Sequence, residues 1–306
     1  MNIAVFVGTR ADLGPLEPVL AELGTDPQVR LEVLTGVAFD SAELAAYLSA
    51  ALGITAEVVQ LAPQMPTADA AGVTAQGELL VAGAHRYFAE RAASAERSAD
   101  ALVVLGDRWE LLFIVPQAYL HRVPIVHLHG GEVTEGALDE RVRHAVTKLA
   151  DVHCVASARA AIRVRQLGEP AASIHLTGAP GLDRIADAIP LQDDELRDRF
   201  GHALPRPLAL FTYHPPTTTE TGDPGRQAAD ALRGVLAHAG SVIVTAPGYD
   251  AGRDEIIAAI RELADGDPRI VYVESIGALF PRVLRAVDVV VGNSSSGIIE
   301  APTALV

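Results

Sequence analysis

The chain of 306 residues carries a single cysteine, Cys154, so no disulfide can form within it and a cysteine-based metal site is excluded. Cys154 lies in the apolar run 152–156 and reads as a small buried hydrophobe. Aromatic residues make up only 5%, and no apolar run reaches the ~18 residues of a membrane-crossing helix. The N-terminus, MNIAVFVGTR, is too short and wrongly flanked for a secretory signal, which predicts a cytoplasmic protein. Positive charge is the minority sign: 24 Lys and Arg against 39 Asp and Glu leave a net charge of −15. That balance argues against nucleic acid and anionic membranes as partners. An anion bound here has to be met by a few placed arginines and by helix N-termini. The GxGxxG fingerprint is missing too, so NAD is not supported.

What is present is a globular composition, 49% hydrophobic and 21% charged, with a length that suits two domains. Short apolar runs alternate with helical patterns. In the first half, strands are predicted over residues 3–7, 30–35, 57–61, 101–105, 124–128, 152–156 and 174–177. Helices are predicted over 16–23, 41–52, 78–94, 138–150 and 159–167. Residues 62–77 are rich in Pro, Ala and Thr and read as a loop, either a lid or a solvated connector. The Gly178-Ala179-Pro180-Gly181 turn and the charged, proline-bounded 190–206 place a domain boundary near residue 180. A second alternation follows, with strands over 208–213, 242–246, 269–273 and 287–291 and helices over 226–238, 254–264 and 278–285. The pattern predicts an α/β protein with two domains, 1–180 and 181–306, each a parallel sheet flanked by helices.

Ionisable groups gather where the strands end. The run 101–105 stops at Gly106-Asp107-Arg108, and 124–128 stops at His129-Gly130-Gly131-Glu132. Ligands of open α/β sheets sit outside the carboxyl ends of the strands, so Asp107, Arg108, His127, His129 and Glu132 are expected on one rim. In the following helix Asp139 and Arg143 are four apart, as are Glu140 and His144, which puts an acid, a base and a guanidinium on one face. Taken singly, Asp139/Arg143 is an ordinary surface ion pair and His127 an ordinary core histidine. Their convergence with His129, His144 and His153 in one segment points to a functional site.

Two further strand ends carry polar groups. The first strand ends in Gly8-Thr9-Arg10-Ala11-Asp12, a glycine turn into a helix whose N-terminus offers N–H groups to an anion. The strand at 208–213 leads to His214, and the last leads to Gly292-Asn293-Ser294-Ser295-Ser296-Gly297, where a helix is expected to start. Such a turn offers hydroxyls and amides to phosphate oxygens, although Ser and Asn are also ordinary helix caps. Glu300, expected on the first turn of that helix, either complements its dipole or grips a ribose diol.

With these motifs in view, the chain resembles the hydrolysing UDP-N-acetylglucosamine 2-epimerases of sialic-acid and related nonulosonate biosynthesis. GTRAD, GDRWE, HLHGGEVTEGALDERVRHAVTKL, GAPGLD, TYHP and GNSSSGIIEAP carry the likeness, in order, over nearly all of the sequence. The resemblance implies a GT-B-like fold of two Rossmann-like domains with the nucleotide sugar in the cleft between them, the sugar on the side of 1–180 and the nucleotide on the side of 181–306. It implies Asp107, Glu132, Asp139, His129, His144 and His214 as catalytic residues. Arg10, Asp12, Arg108, Arg143, His127, His214, Asn293, Ser294, Ser295, Ser296 and Glu300 are implied as the substrate and UDP-binding set. The implied reaction is elimination of UDP to a glycal followed by water addition, giving UDP and the C2-inverted free sugar, ManNAc from UDP-GlcNAc. No metal or cofactor is implied, and the partner is a small nucleotide sugar, with homo-oligomers, dimers or tetramers, expected.

Two departures stand out. The family's TGxH pattern reads Thr35-Gly36-Val37-Ala38 here, so a polar group near the sugar is missing, and relatives continue beyond the position of Val306, which suggests a truncated second domain. The alternatives are a non-hydrolysing epimerase releasing UDP-ManNAc, a glycosyltransferase of the same fold, or a catalytically silent nucleotide-sugar binding protein.

Overall fold

The computed structural model describes residues 1–66, 69–94, 96–215, 222–248 and 250–306. It divides into two compact units, Met1–Pro180 and Gly181–Val306.

In the first unit β1 (Asn2–Phe6) leads to α1 (Arg10–Thr25), β2 (Arg30–Thr35) to α2 (Ser41–Tyr47), and β3 (Glu57–Gln60) to α3 (Ala70–Ala92). Then follow β4 (Ala101–Leu105), α4 (Leu111–Leu120), β5 (Ile125–Leu128), α5 (Leu138–Leu149), β6 (Val152–Val155), α6 (Ala158–Gln166) and β7 (Ile174–Leu176). The seven strands form one parallel sheet in the order β3-β2-β1-β4-β5-β6-β7. Its central strands are apolar on both faces: Ala4, Val5, Phe6, Leu102, Val103 and Val104 are all buried. Helices cover both sides of such a sheet, which is what continuous rather than alternating apolar runs require. The strand order reverses between β1 and β4, so the loops that follow these two strands part and leave a crevice.

Three expectations need correction. Helix α1 begins at Arg10 rather than at 16 and runs through Pro15 and Pro18. The Thr9 N–H donates to Asp12 Oδ2 at 2.8 Å and starts the helix six residues earlier than the apolar pattern does. Helix α3 begins at Ala70, inside the stretch read as a loop, because the Asp69 carboxylate accepts from Gly72 N at 2.7 Å and caps it. Residues 67 and 68 of that stretch lie outside the described residues. Helix α4 was not predicted at all. LLFIVPQAYL is too uniformly apolar to show a helical period, and Pro116 within it looks like a break.

In the second unit α7 (Gly181–Ala186) and α8 (Asp193–Phe200) precede the alternation β8 (Leu208–Thr212), α9 (Pro224–Leu236), β9 (Ser241–Thr245), α10 (Arg253–Gly266), β10 (Ile270–Val273), α11 (Phe280–Leu284), β11 (Val289–Gly292), α12 (Ser296–Ile299) and α13 (Ala301–Ala304). The sheet is parallel in the order β10-β9-β8-β11. Alternate residues of its strands feed two cores: Leu208, Leu210 and Ile243 face one, Ala209, Phe211, Val242 and Val244 the other. The charged segment 190–206 is not a plain connector, since it holds α8, whose Leu196 and Phe200, four apart, are buried. Among the described residues no helix is long and apolar enough to cross a membrane.

Candidate active site

The crevice between β1 and β4 is lined by the turns that follow those strands. Gly106 takes the left-handed conformation, φ +74°, which lets β4 break sharply into Asp107. The Gly106 carbonyl is pinned from below by His127, whose Nε2–H donates to it at 2.8 Å. His127 Nδ1 lies 3.2 Å from the Thr147 hydroxyl of α5. The imidazole is completely buried, and that burial pushes its pKa down to about 4, so it is neutral. His127 therefore does not reach a ligand, contrary to its place in the expected binding set. It positions the turn that carries Asp107.

Arg143 comes from α5 and is 4% exposed. Instead of a surface ion pair, its Nη2 contacts the Asp107 carboxylate and donates to Thr134 Oγ1 at 3.1 Å. The Thr134 N–H donates to Glu140 Oε2 at 3.0 Å, and Glu140 Oε1 lies 3.7 Å from His144 Nε2. Burial, with Arg163 nearby, lowers the Arg143 pKa to about 10, which leaves it cationic at neutral pH. His129 follows β5 with φ +62°, an uncommon conformation for a residue with a side chain, and its Nδ1 is 3.2 Å from Glu132 Oε1. Asp139 lies on the first turn of α5.

Four buried nitrogens of this group, Arg143 Nε and Nη1, His129 Nε2 and His144 Nδ1, have no hydrogen-bond partner among the described residues. Each such orphan costs about 1–3 kcal/mol, which marks this group off from the satisfied polar groups of the core. The expected grouping of Asp107, His129, Glu132, Arg143 and His144 on neighbouring strand and helix ends is thus present in this unit.

The β1 turn forms a second cluster. Arg10 is exposed and pairs with Glu43 at 3.2 Å. Asp12, expected among ligand-binding groups, is 8% exposed and occupied by the Thr9 N–H and, at 3.1 Å, the Thr9 hydroxyl. It is a helix cap and a charge partner of Arg108, not an open ligand group. Arg108 Nε donates to Glu110 Oε1 at 3.0 Å, and Glu110 is fully buried. Glu110 was missed in the sequence; its signal was an acid set between Trp109 and two leucines. Ala38, where a His was expected, is 7% exposed, its N–H donates to Gly8 O at 3.0 Å and its carbonyl accepts from Gln64 Nε2 at 3.1 Å.

In the second unit the order reverses between β8 and β11. Asn293 clasps the end of β8, its Oδ1 accepting from His214 N at 2.7 Å and its Nδ2 donating to His214 O at 2.8 Å. Asn293 is therefore spent on the backbone rather than offered to phosphate. Gly248 N–H donates to His214 Nδ1 at 2.9 Å, which fixes the proton on Nε2 and makes that atom a donor. Ser294 Oγ accepts from Ser296 N at 3.3 Å, Ser295 is exposed, and Ser296 Oγ is buried with no partner among the described residues. A slot of about 40 Å³ runs between Thr212, Gly292, Ser294, Ser296 and Gly297. The expected single helix is instead two one-turn helices, with Glu300 at their junction rather than on a first turn. A wider cavity of about 590 Å³ opens at the opposite, N-terminal edge of this sheet. Its Arg206 is already paired with Asp193 at 3.1 Å and Asp288 at 2.8 Å, and it holds none of the expected site residues.

Comparison with known proteins bears on the family and the fold. The profile described as UDP-N-acetylglucosamine 2-epimerase matches residues 23–306. The chain is 32% identical, over 98% of its length and 78% of the relative's, to the hydrolysing UDP-N,N'-diacetylbacillosamine 2-epimerase of Legionella pneumophila. It is 29% identical, over 98% of its length and 77% of the relative's, to the UDP-N-acetylglucosamine 2-epimerase of Neisseria meningitidis. The structure of Methanocaldococcus jannaschii UDP-GlcNAc 2-epimerase in complex with UDP-GlcNAc and UDP shares the fold, with a TM-score of 0.77 at 13% identity over 100% of this chain and 82% of that one. The profile match over most of the sequence and the extent of the first relative place the chain in the UDP-N-acetylglucosamine 2-epimerase family.

Proposed function

We propose that the chain is a hydrolysing 2-epimerase of UDP-2-acetamido sugars, acting in the cytoplasm and supplying a C2-inverted free sugar, ManNAc or its diacetamido analogue, for nonulosonate assembly. The observation that carries this is the pairing of the half-buried Asp107 with the buried Arg143, beside two imidazoles that each keep one nitrogen without a partner among the described residues. The hydrolysing Legionella pneumophila relative supports the same reading.

The reaction has two halves. A base removes the proton from C2 while the C1–O bond breaks, leaving a glycal and UDP. Water then adds its oxygen to C1, and a proton reaches C2 from the other face. Both halves need acid–base groups near neutrality. His129 donates from Nδ1 towards Glu132, so Nε2 holds a lone pair and acts as a base. His144 lies on α5, its Nε2 3.7 Å from Glu140 Oε1 and its Nδ1 buried. Asp107 is oriented by Arg143 and His127 and handles the second proton, while Glu132 and Asp139 complete the polar wall. In the second unit we assign the departing diphosphate to His214 Nε2–H, Ser294, Ser295 and Ser296, with Glu300 on the ribose; in the first unit we assign Arg10 and Arg108 to attraction of an anion. We also take the working form to be a homo-oligomer, which light scattering of the purified chain checks.

Incubation with UDP-GlcNAc and with UDP-N,N'-diacetylbacillosamine, followed by proton NMR, tests the proposal. Free C2-inverted sugar with UDP is expected. A C2-inverted sugar still joined to UDP makes the enzyme non-hydrolysing, and intact substrates with UDP bound make it a binding protein.

A further inference from the structure

We infer that Glu110 is a positioning residue for anion binding at the corner of β1–α1 and β4–α4: it fixes Arg108 and, through its own charge, sets how strongly that corner accepts a phosphoryl group. The inference rests on the nucleotide-sugar reading above. Glu110 has no exposed surface, so it touches no ligand and acts only through its neighbours. Its Oε1 takes the Arg108 Nε–H at 3.0 Å, and its Oε2 is buried without a hydrogen-bond partner among the described residues. The fit against β1 is tight. A Cβ on Gly8 would come within 2.5 Å of Glu110 Oε1 and 3.2 Å of Asp12 Oδ2, so a side chain there would have to push these carboxyls from their places.

The charged groups that face Glu110 are Arg108 on its own turn and Asp12 from α1. Two buried carboxyls therefore share one guanidinium, and a second negative charge there is poorly compensated. Burial pushes the Glu110 carboxyl up to about 7 against the pull of Arg108, with Asp12 adding to the rise. Asp12 is raised by burial as well, with Arg108 and the Thr9 hydrogen bonds holding it back. With Asp12 ionised and Glu110 protonated the cluster is neutral. Once Glu110 loses its proton the same corner carries one negative charge, and an arriving phosphoryl group meets repulsion where Arg108 alone would attract it. Linkage makes the effect reciprocal: a bound anion holds the proton on Glu110, and loss of that proton weakens the anion.

Calorimetric binding of UDP to the wild-type chain and to Glu110→Gln, between about pH 6 and about pH 8.5, reads this directly, because the ligand's own titration is common to both proteins. The wild-type Kd divided by that of Glu110→Gln is expected to rise about tenfold across that range, the size of one charge acting over ~10 Å in partly desolvated protein. A constant ratio overturns the inference and leaves the nucleotide-sugar reading standing. A wild-type chain that binds no UDP at any pH defeats that reading first, and this inference with it. If the variant does not fold, carbon-13 NMR of the carboxyls in the wild-type chain decides: the midpoint of a buried Glu near neutrality must move up when UDP binds, and a fixed midpoint overturns the proposal.

Discussion

The two units end their strands in different chemistry. The carboxyl ends of β4 and β5 carry ionisable groups, some with buried nitrogens that have no partner among the described residues. The ends of β8 and β11 carry neutral groups, hydroxyls and amides, held by the Asn293 clasp and by a histidine whose tautomer is fixed. Moving protons needs groups with two accessible charge states. Holding a diphosphate needs only donors in fixed positions. The contrast supports a division of labour, with proton chemistry confined to the first unit, beside its anion corner at Arg108, and neutral donors for the nucleotide in the second.

The largest expected effect is on the first unit's chemistry. Asp107→Asn should reduce turnover by roughly 10²–10⁴-fold while UDP affinity stays within a few-fold; steady-state kinetics and calorimetry on the same variant check it, and full activity would remove Asp107 from the mechanism. Next is stability. Arg143→Ala leaves the half-buried Asp107 carboxylate without its guanidinium and should cost about 1.5–3 kcal/mol in urea denaturation. A loss no larger than that of an exposed pair would show that the network is wetter than its burial indicates.

The third expectation follows from Glu110. Its pKa is raised from 4.5 to about 7 in the folded chain, so its contribution to stability is fully present below about 4.5 and is lost as pH rises towards 7. The loss is about 3 kcal/mol, and it should vanish from the pH profile of Glu110→Gln. In the second unit the effect is smallest. Asn293→Ala removes the clasp on the His214 backbone and should cost about 1 kcal/mol per hydrogen bond lost, with UDP affinity falling several-fold and the residual turnover number unchanged. A large fall in turnover at saturating substrate would blur the contrast between the units.

Much of this was legible in the sequence because strand ends are. An apolar run that stops at Gly106-Asp107 or at His129-Gly130-Gly131 announces both the sheet and the edge where charged groups emerge. What stayed hidden was which way each side chain turns. His127 and His129 are two residues apart on one run, yet one is sealed under the Gly106 carbonyl and the other follows a left-handed turn into the site. Strand alternation alone does not distinguish them once the strand ends between them. Arg143 looked like the partner of Asp139 because helical spacing is local, whereas its contact with Asp107 joins residues on separate elements. Glu110 shows in the sequence only as an acid among apolar neighbours, because the environment that gives it a role is made by α1 and the β1 turn. Helices α1 and α3 began early since Thr9 with Asp12, and Asp69, cap them, and capping outweighs the prolines and glycines that read as breaks.

The most direct test of the division of labour is hydrogen exchange at C2. Turnover of UDP-GlcNAc, or of the diacetamido analogue, in deuterated water should release free sugar carrying one deuterium at C2, and Asp107→Asn should lose that product while still binding UDP. Free sugar released with its original hydrogen at C2 would contradict the mechanism and leave the buried network of the first unit without its proposed role.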